Sequence, residues 1–217
     1  MNLLASLFPL FIWLIYSLAS KSIDNIRPSL SHLMNLQRVR WVQNAVHREN
    51  AIDGILSSAL MNSVAFFAST TILLILALFA VFGQIGVLHD ALITIRPELA
   101  NSEITQHLII LLATFIMAFL YFTMSLRQFN HFCVMLGAAD HSEKTNENEV
   151  IAIAALNTLG ARNFNQGIRA YYFSVAMLIW FISPFLAIGA TLLILGFLIY
   201  RDYFSRARAL IVRIQPH

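Results

Sequence analysis

Of the 217 residues 59% are hydrophobic and 12% charged, against roughly 25% charged in an ordinary soluble domain. The apolar residues fall in charge-free blocks long enough to cross a bilayer, which takes about 20 residues of helix, so the solvent is lipid and one membrane domain (1–217) is the natural count. A net charge of +3, with lysine and arginine confined to polar segments, excludes a nucleic-acid footprint, and a single cysteine excludes an intramolecular disulfide or a multi-cysteine metal site.

The first block, Met1 to Ser20, ends in a small-x-small triplet, Ser17-Leu18-Ala19, like that of a signal peptide. No lysine or arginine precedes the apolar run and the run is long for a signal core, so it is expected to be a retained span. Further charge-free stretches run from Gly54 to Leu88, Ile104 to Leu126 and Ala170 to Tyr200. Backbone amides in hydrocarbon must be satisfied within the segment, and the period-2 pattern of a barrel strand is absent. The expected fold is therefore an all-α integral membrane protein of four transmembrane helices, about 3–20, 56–82, 104–126 and 170–200, with two long cytoplasmic helical extensions, 21–55 and 127–169.

In the first extension Leu33, Leu36, Val39, Val42 and Val46 recur at helical spacing. Ser29 or Ser31, after Pro28, is placed to cap this helix, which runs on into span two or bends near Gly54. The second extension continues span three through Asn130, loosens over the polar run Asp140 to Glu149, and predicts a short helix ending near Gly160.

Lysine and arginine near the spans set the orientation. Five follow span one (Lys21, Arg27, Arg38, Arg40, Arg48), Arg96 alone lies between spans two and three, and four precede span four (Arg127, Lys144, Arg162, Arg169). Both extensions are thus expected in the cytoplasm of a bacterial inner (plasma) membrane, with the N-terminus outside. The tail arginines, Arg201, Arg206, Arg208 and Arg213, break the pattern. A hairpin at Pro184 would return them to the cytoplasm but leaves limbs of about 13 to 16 residues, short of a span. Paired tyrosines at either end favour one tilted helix from Ala170 to Tyr200, with His217 outside and Cys133 cytoplasmic.

No span contains a charged side chain. Asn62, Ser69, Thr70 and Thr71 give span two its polar content, which suits helix–helix hydrogen bonding, with Ala65 and Ser69 a small-xxx-small pair. His89 and His107, near Asp90, Glu98 and Glu103, match no metal-ligand spacing and are expected as interfacial residues; His131, Cys133, Asp140 and His141 likewise make no metal site, and Cys133, in Phe132-Cys133-Val134, is expected to pack within a helix. Phosphate-loop, hydrolase and zinc-protease signatures are absent, so no catalytic residue, metal or cofactor is predicted. Asn35, Arg38, Trp41, Arg48 and Asp53 before span two, with Arg127, Gln128, Asn130, Arg162, Asn163, Asn165 and Arg169 around spans three and four, form a cytoplasmic polar set. It suits either an internal clasp between the arms or a docking surface.

At these residues the chain resembles the bacterial and plant membrane proteins known as domain of unknown function 599. The resemblance is carried by Asn35 to Trp41 (NLQRVRW), Asp53 with Asn62 to Thr71 (NSVAFFASTT), Leu126 to Ala138 (LRQFNHFCVMLGA) and Phe164 to Pro184 (FNQGIRAYYFSVAMLIWFISP). It implies a multi-span helical architecture and an arginine shortly before the aspartate, for which Arg48 is the candidate. Small size, uncharged spans and two polar arms lead to the expectation of a non-enzymatic accessory or assembly subunit, partnered by other membrane subunits, by itself or by lipid. The alternatives are a small oligomeric transporter or channel around span two, or a quinone- or lipid-binding subunit with an apolar pocket and polar mouth.

Overall fold

The computed structural model describes residues 2–47, 52–139 and 146–214, and every regular element among them is helical. In chain order these are α1 (Asn2–Ile23), α2 (Leu30–Ala45), α3 (Ile52–Phe82), α4 (Ile85–Leu92), α5 (Asn101–Ala138), α6 (Glu147–Ile179), α7 (Pro184–Ile199), a π-helical turn (Tyr200–Phe204) and α8 (Arg206–Arg213). Four stretches are long and apolar enough to cross a membrane: Leu3–Ser20, Ile52–Phe82, Asn101–Ala138 and Pro184–Arg213.

α5 and α6 form a central antiparallel pair, on glycine. The Phe122 ring covers Gly167 and the Phe129 ring covers Gly160, a seven-residue step on both helices that keeps one face in register. A Cβ on Gly167 would lie 2.5 Å from Phe122, and one on Gly160 would lie 2.9 Å from Phe129. The Ser125 hydroxyl also donates to the Gly160 carbonyl at 2.7 Å. The expected helix end near Gly160 is therefore corrected: this glycine serves close approach inside a continuous helix.

Around this pair α3 lies against α5, α1 packs on α7, α6 and α5, α2 lies on α6, and α8 rests on α2. One apolar core gathers Leu108, Leu111, Met177 and Trp180; the next gathers Trp13, Phe122, Phe173 and Leu198; a third, Val42, Phe132 and Ile153, joins α2 to the extended ends of α5 and α6. α2 starts at a Ser29 cap, whose hydroxyl accepts from the His32 amide at 3.2 Å. It ends at Ala45 and α3 begins at Ile52, so the chain breaks before Gly54, and residues 48–51 fall outside the described set.

The expectation of one helix from Ala170 to Tyr200 is overturned. α6 ends at Ile179, residues 180–183 turn, and α7 starts on Pro184. Proline suits that start because it has no N–H to leave unsatisfied, and it holds Ser183 extended at φ −159°, ψ 133°. The hairpin limbs are longer than their charge-free residues alone. Each limb continues into charged residues that meet, Arg169 on α6 and Asp202 beyond α7, at 3.0 Å. From Pro184 to Phe204 the second limb reaches about 30 Å at 1.5 Å per residue, a full hydrocarbon thickness. The tail accordingly folds back: Arg208 Nε donates to the Pro28 carbonyl at 2.9 Å, so α8 lies beside the start of α2 and not at the opposite end of the bundle.

Candidate functional site

Asp202 is the centre of a polar junction where α1, α2, α6 and the π-helical turn meet. The turn adds a residue to the helical repeat and aims this carboxylate inward, a role such insertions often have. Asp202, only 2% exposed, accepts from the Tyr16 hydroxyl at 2.8 Å, from Arg169 at 3.0 Å and, through its other oxygen, from Arg201 Nε at 2.9 Å. Arg169, 6% exposed, also reaches the Ser20 hydroxyl at 3.4 Å and lies over the Tyr16 ring. Three donors from within the chain thus reach the carboxylate, two of them cations.

Two polar cavities flank this centre. A cleft of about 100 Å³ between α1, α2 and α6 is lined by polar side chains, among them Asp24, His32, Arg162, Gln166 and Arg169. A second cavity of about 200 Å³ lies between α2, α6 and the π-helical turn and includes Arg38, Arg201 and Asp202. Ser31, Asn35 and Asn165 belong to both. Burial pulls the Arg38 guanidinium below its ordinary pKa.

The sequence-derived polar set thus separates into contacts and free surface. Trp41 Nε1 donates to Asp53 Oδ1 at 2.6 Å, tying α2 to α3, and Asn163 donates to Gln128 at 2.7 Å, tying α6 to α5. Asn165 donates to Ser31 at 3.4 Å, while Arg127, Asn130 and Arg162 are exposed. The Trp41–Asp53 bond joins two of the stretches that carried the resemblance, and Gln128 and Asn165 each lie in another. A family model described as "Protein of unknown function, DUF599" matches residues 4–207.

The chain belongs to that family. No curated protein and no solved structure matches it. The multi-helical architecture implied by the resemblance is present, whereas Arg48, the candidate for the arginine preceding Asp53, lies outside the described residues, as do Asp140 and His141.

α3 packs within the chain mainly through one face, against α5. Thr71 is buried there and hydrogen-bonded to the Phe67 carbonyl and the Tyr171 hydroxyl, and Thr70 donates back to Phe66 at 2.8 Å. Asn62 and Ser69 face outward with Phe66 and Leu73.

His107 corrects the expectation of an interfacial histidine. It is fully buried, with Nδ1 2.9 Å from the Ser6 hydroxyl, Nε2 2.8 Å from the Met177 carbonyl, and its ring stacked on Trp180 at 4.1 Å. Arg96, which the sequence marked only as a loop charge, donates to the Trp180 carbonyl at 3.0 Å and closes the same end. Among the described residues no cluster of three or more histidine, cysteine or acidic side chains is placed to hold a metal ion.

Proposed function

We propose that this chain is a non-enzymatic assembly subunit of a plasma-membrane complex, and that the outer face of α3 docks a transmembrane helix of a partner subunit. The observation that carries the reading is the outward position of Asn62 and Ser69 on a helix that uses only its opposite side within the chain. In hydrocarbon a carboxamide has no water to bond, and interhelical polar contacts contribute about 0.6 to 2 kcal/mol each. Small outward residues beside them, Ala59 and Ser63, permit close approach. Purified in mild detergent, the wild type is expected in a species larger than its own 24.5 kDa, and Asn62→Leu combined with Ser69→Leu is expected to release it. A wild type that runs as a monomer under every mild condition sinks the assembly reading, and a pure homodimer replaces the partner subunit with a second copy.

The same reading takes the chain across the bilayer five times, through α1, α3, α5, the second half of α6, and α7. This arrangement gathers both polar extensions and the tail on one side. Arg201, Arg206, Arg208 and Arg213 then join the cytoplasmic charges, Arg96 remains outside, and the positive-inside bias holds without exception. A reporter fused after Arg213 is expected to be active if it works only in the cytoplasm and silent if it works only outside. The reverse result rules out the fifth crossing.

The lipid-binding alternative also has a specific support. A groove of about 360 Å³ between α1 and α7 is lined by Ile12, Ile15, Leu195 and Ile199, with Arg27 at its end beside Tyr203 and Phe204. Acyl chains suit its walls and an anionic headgroup suits its arginine.

A further inference from the structure

We propose that the cavity between α2, α6 and the π-helical turn binds a phosphate-type oxyanion, with Arg38 as its principal ligand. Arg38 is unusual among the inward-pointing arginines. Arg169 and Arg201 share Asp202, Arg96 bonds Trp180 and lies near Glu98, and Arg27 and Arg208 each donate to a backbone carbonyl. Arg38 has no hydrogen bond or ion pair among the described residues; its Nε, like those of Arg96 and Arg169, is sealed from solvent with nothing to donate to, but unlike theirs its other nitrogens make no bond either. A cation in that position is costly unless an anion completes it.

The rest of the cavity indicates the sign and chemistry of the ligand. Its one carboxylate, Asp202, already accepts from Tyr16, Arg169 and Arg201, and the two guanidinium charges exceed its own, which disfavours a cation. The available groups are donors: the Arg38 guanidinium, the Asn35 amide, and the Ser31 hydroxyl, whose oxygen already accepts from Asn165 and whose proton is free to point inward. Through Ser31, Asn35 and Asn165 the cavity adjoins the cleft holding Arg162, Arg169, His32 and Asp24. Across the two, four arginines face two carboxylates, leaving a surplus of two positive charges before His32 is counted. One guanidinium fork with neighbouring amide and hydroxyl donors around a compact space suits a tetrahedral oxyanion with multiple acceptor oxygens. That group reaches the site either as free phosphate or as the head of an anionic phospholipid, since the cavity sits where α7 gives way to the basic tail.

The test uses the full chain in a zwitterionic detergent free of phosphate, with three variants and two probes. Arg38→Met keeps the volume and removes the charge; Arg38→Lys keeps charge without the fork; Arg40→Met, on the exposed face of the same helix, controls for overall charge. Inorganic phosphate is titrated by calorimetry, and phosphatidylglycerol or phosphatidylcholine is offered in nanodiscs and followed by native mass spectrometry. Saturable binding of one probe by wild type and by Arg40→Met is expected, weakened at least tenfold in Arg38→Met and partly retained in Arg38→Lys. Binding of inorganic phosphate identifies the free ion, and a phosphatidylglycerol adduct without phosphate affinity identifies the lipid head. Without either probe, Arg38→Met is expected to melt no lower than wild type, because it removes an uncompensated charge. Equal binding by wild type and Arg38→Met, no binding of either probe, or an Arg38→Met chain that fails to fold without ligand would each overturn the proposal.

Discussion

Gly167→Ala is expected to destabilise the protein by about 2 kcal/mol or more, although alanine is the better helix former by up to about 1 kcal/mol. The new Cβ would stand 2.5 Å from the Phe122 ring. The far end of a side chain can often swing aside, but this ring is fully buried and held between Phe67, Phe164 and Tyr171, with centroids 5.6, 5.9 and 5.6 Å away. Relief therefore has to come from separating α5 and α6, which spreads the loss over the whole interface. Gly189 supplies the contrast, since nothing lies within 4 Å of its missing Cβ and Gly189→Ala should be neutral or stabilising. Pairing Gly167→Ala with Phe122→Leu should recover part of the loss, with a coupling of about 1 kcal/mol or more in a double-mutant cycle. Denaturant unfolding in mild detergent measures all four. Additive single effects would show that Phe122 is not what Gly167 accommodates.

That helix pair also shows how far the sequence could be read. The long apolar helices were legible because charge-free blocks of that length favour helix, and α2 was legible because Leu33, Leu36, Val39, Val42 and Val46 recur every three or four residues under a serine cap. Glycine was misread because its local meaning is a helix stop, whereas at Gly160 a phenylalanine from 31 residues earlier decides its use. Length alone argues against the hairpin at Pro184, since no local rule shows that Arg169 and Asp202 will neutralise each other. Arg38, Asn35, Asn165 and Arg169 were marked as a polar set, and the structure brings them around two adjoining cavities. Asp202, to which Arg169 is bonded, carries no such mark in the sequence. It reads as one acid in a basic tail, and its partner Tyr16 stands 186 residues away with nothing in either neighbourhood to announce the pairing.

Asp202→Asn is expected to be the most damaging single substitution at the junction, costing about 3 to 5 kcal/mol, with Arg169→Met below it and Tyr16→Phe lower again at about 1 to 3 kcal/mol. The ranking follows from what each change leaves behind. With asparagine's neutral amide in place of the Asp202 carboxylate, Arg169 remains buried at 6% exposure as a cation without its countercharge, beside the Ser20 hydroxyl and the Tyr16 ring. Without Arg169, the carboxylate still accepts from Tyr16 and from Arg201, so part of its charge is answered. Loss of the Tyr16 hydroxyl removes one donor from a group that keeps both arginines. The double variant Arg169→Met with Asp202→Asn should be more stable than Asp202→Asn alone, because the stranded charge disappears with its partner. The same ranking should appear in the docking of the tail, since Asp202 anchors the limb that carries α8 back to α2. Unfolding in mild detergent gives the energies, and protease sensitivity after Phe204 reports the docking. Single substitutions that each cost less than about 1 kcal/mol, or a double variant that is simply the sum of its parts, would show that the fold does not depend on this ion pair.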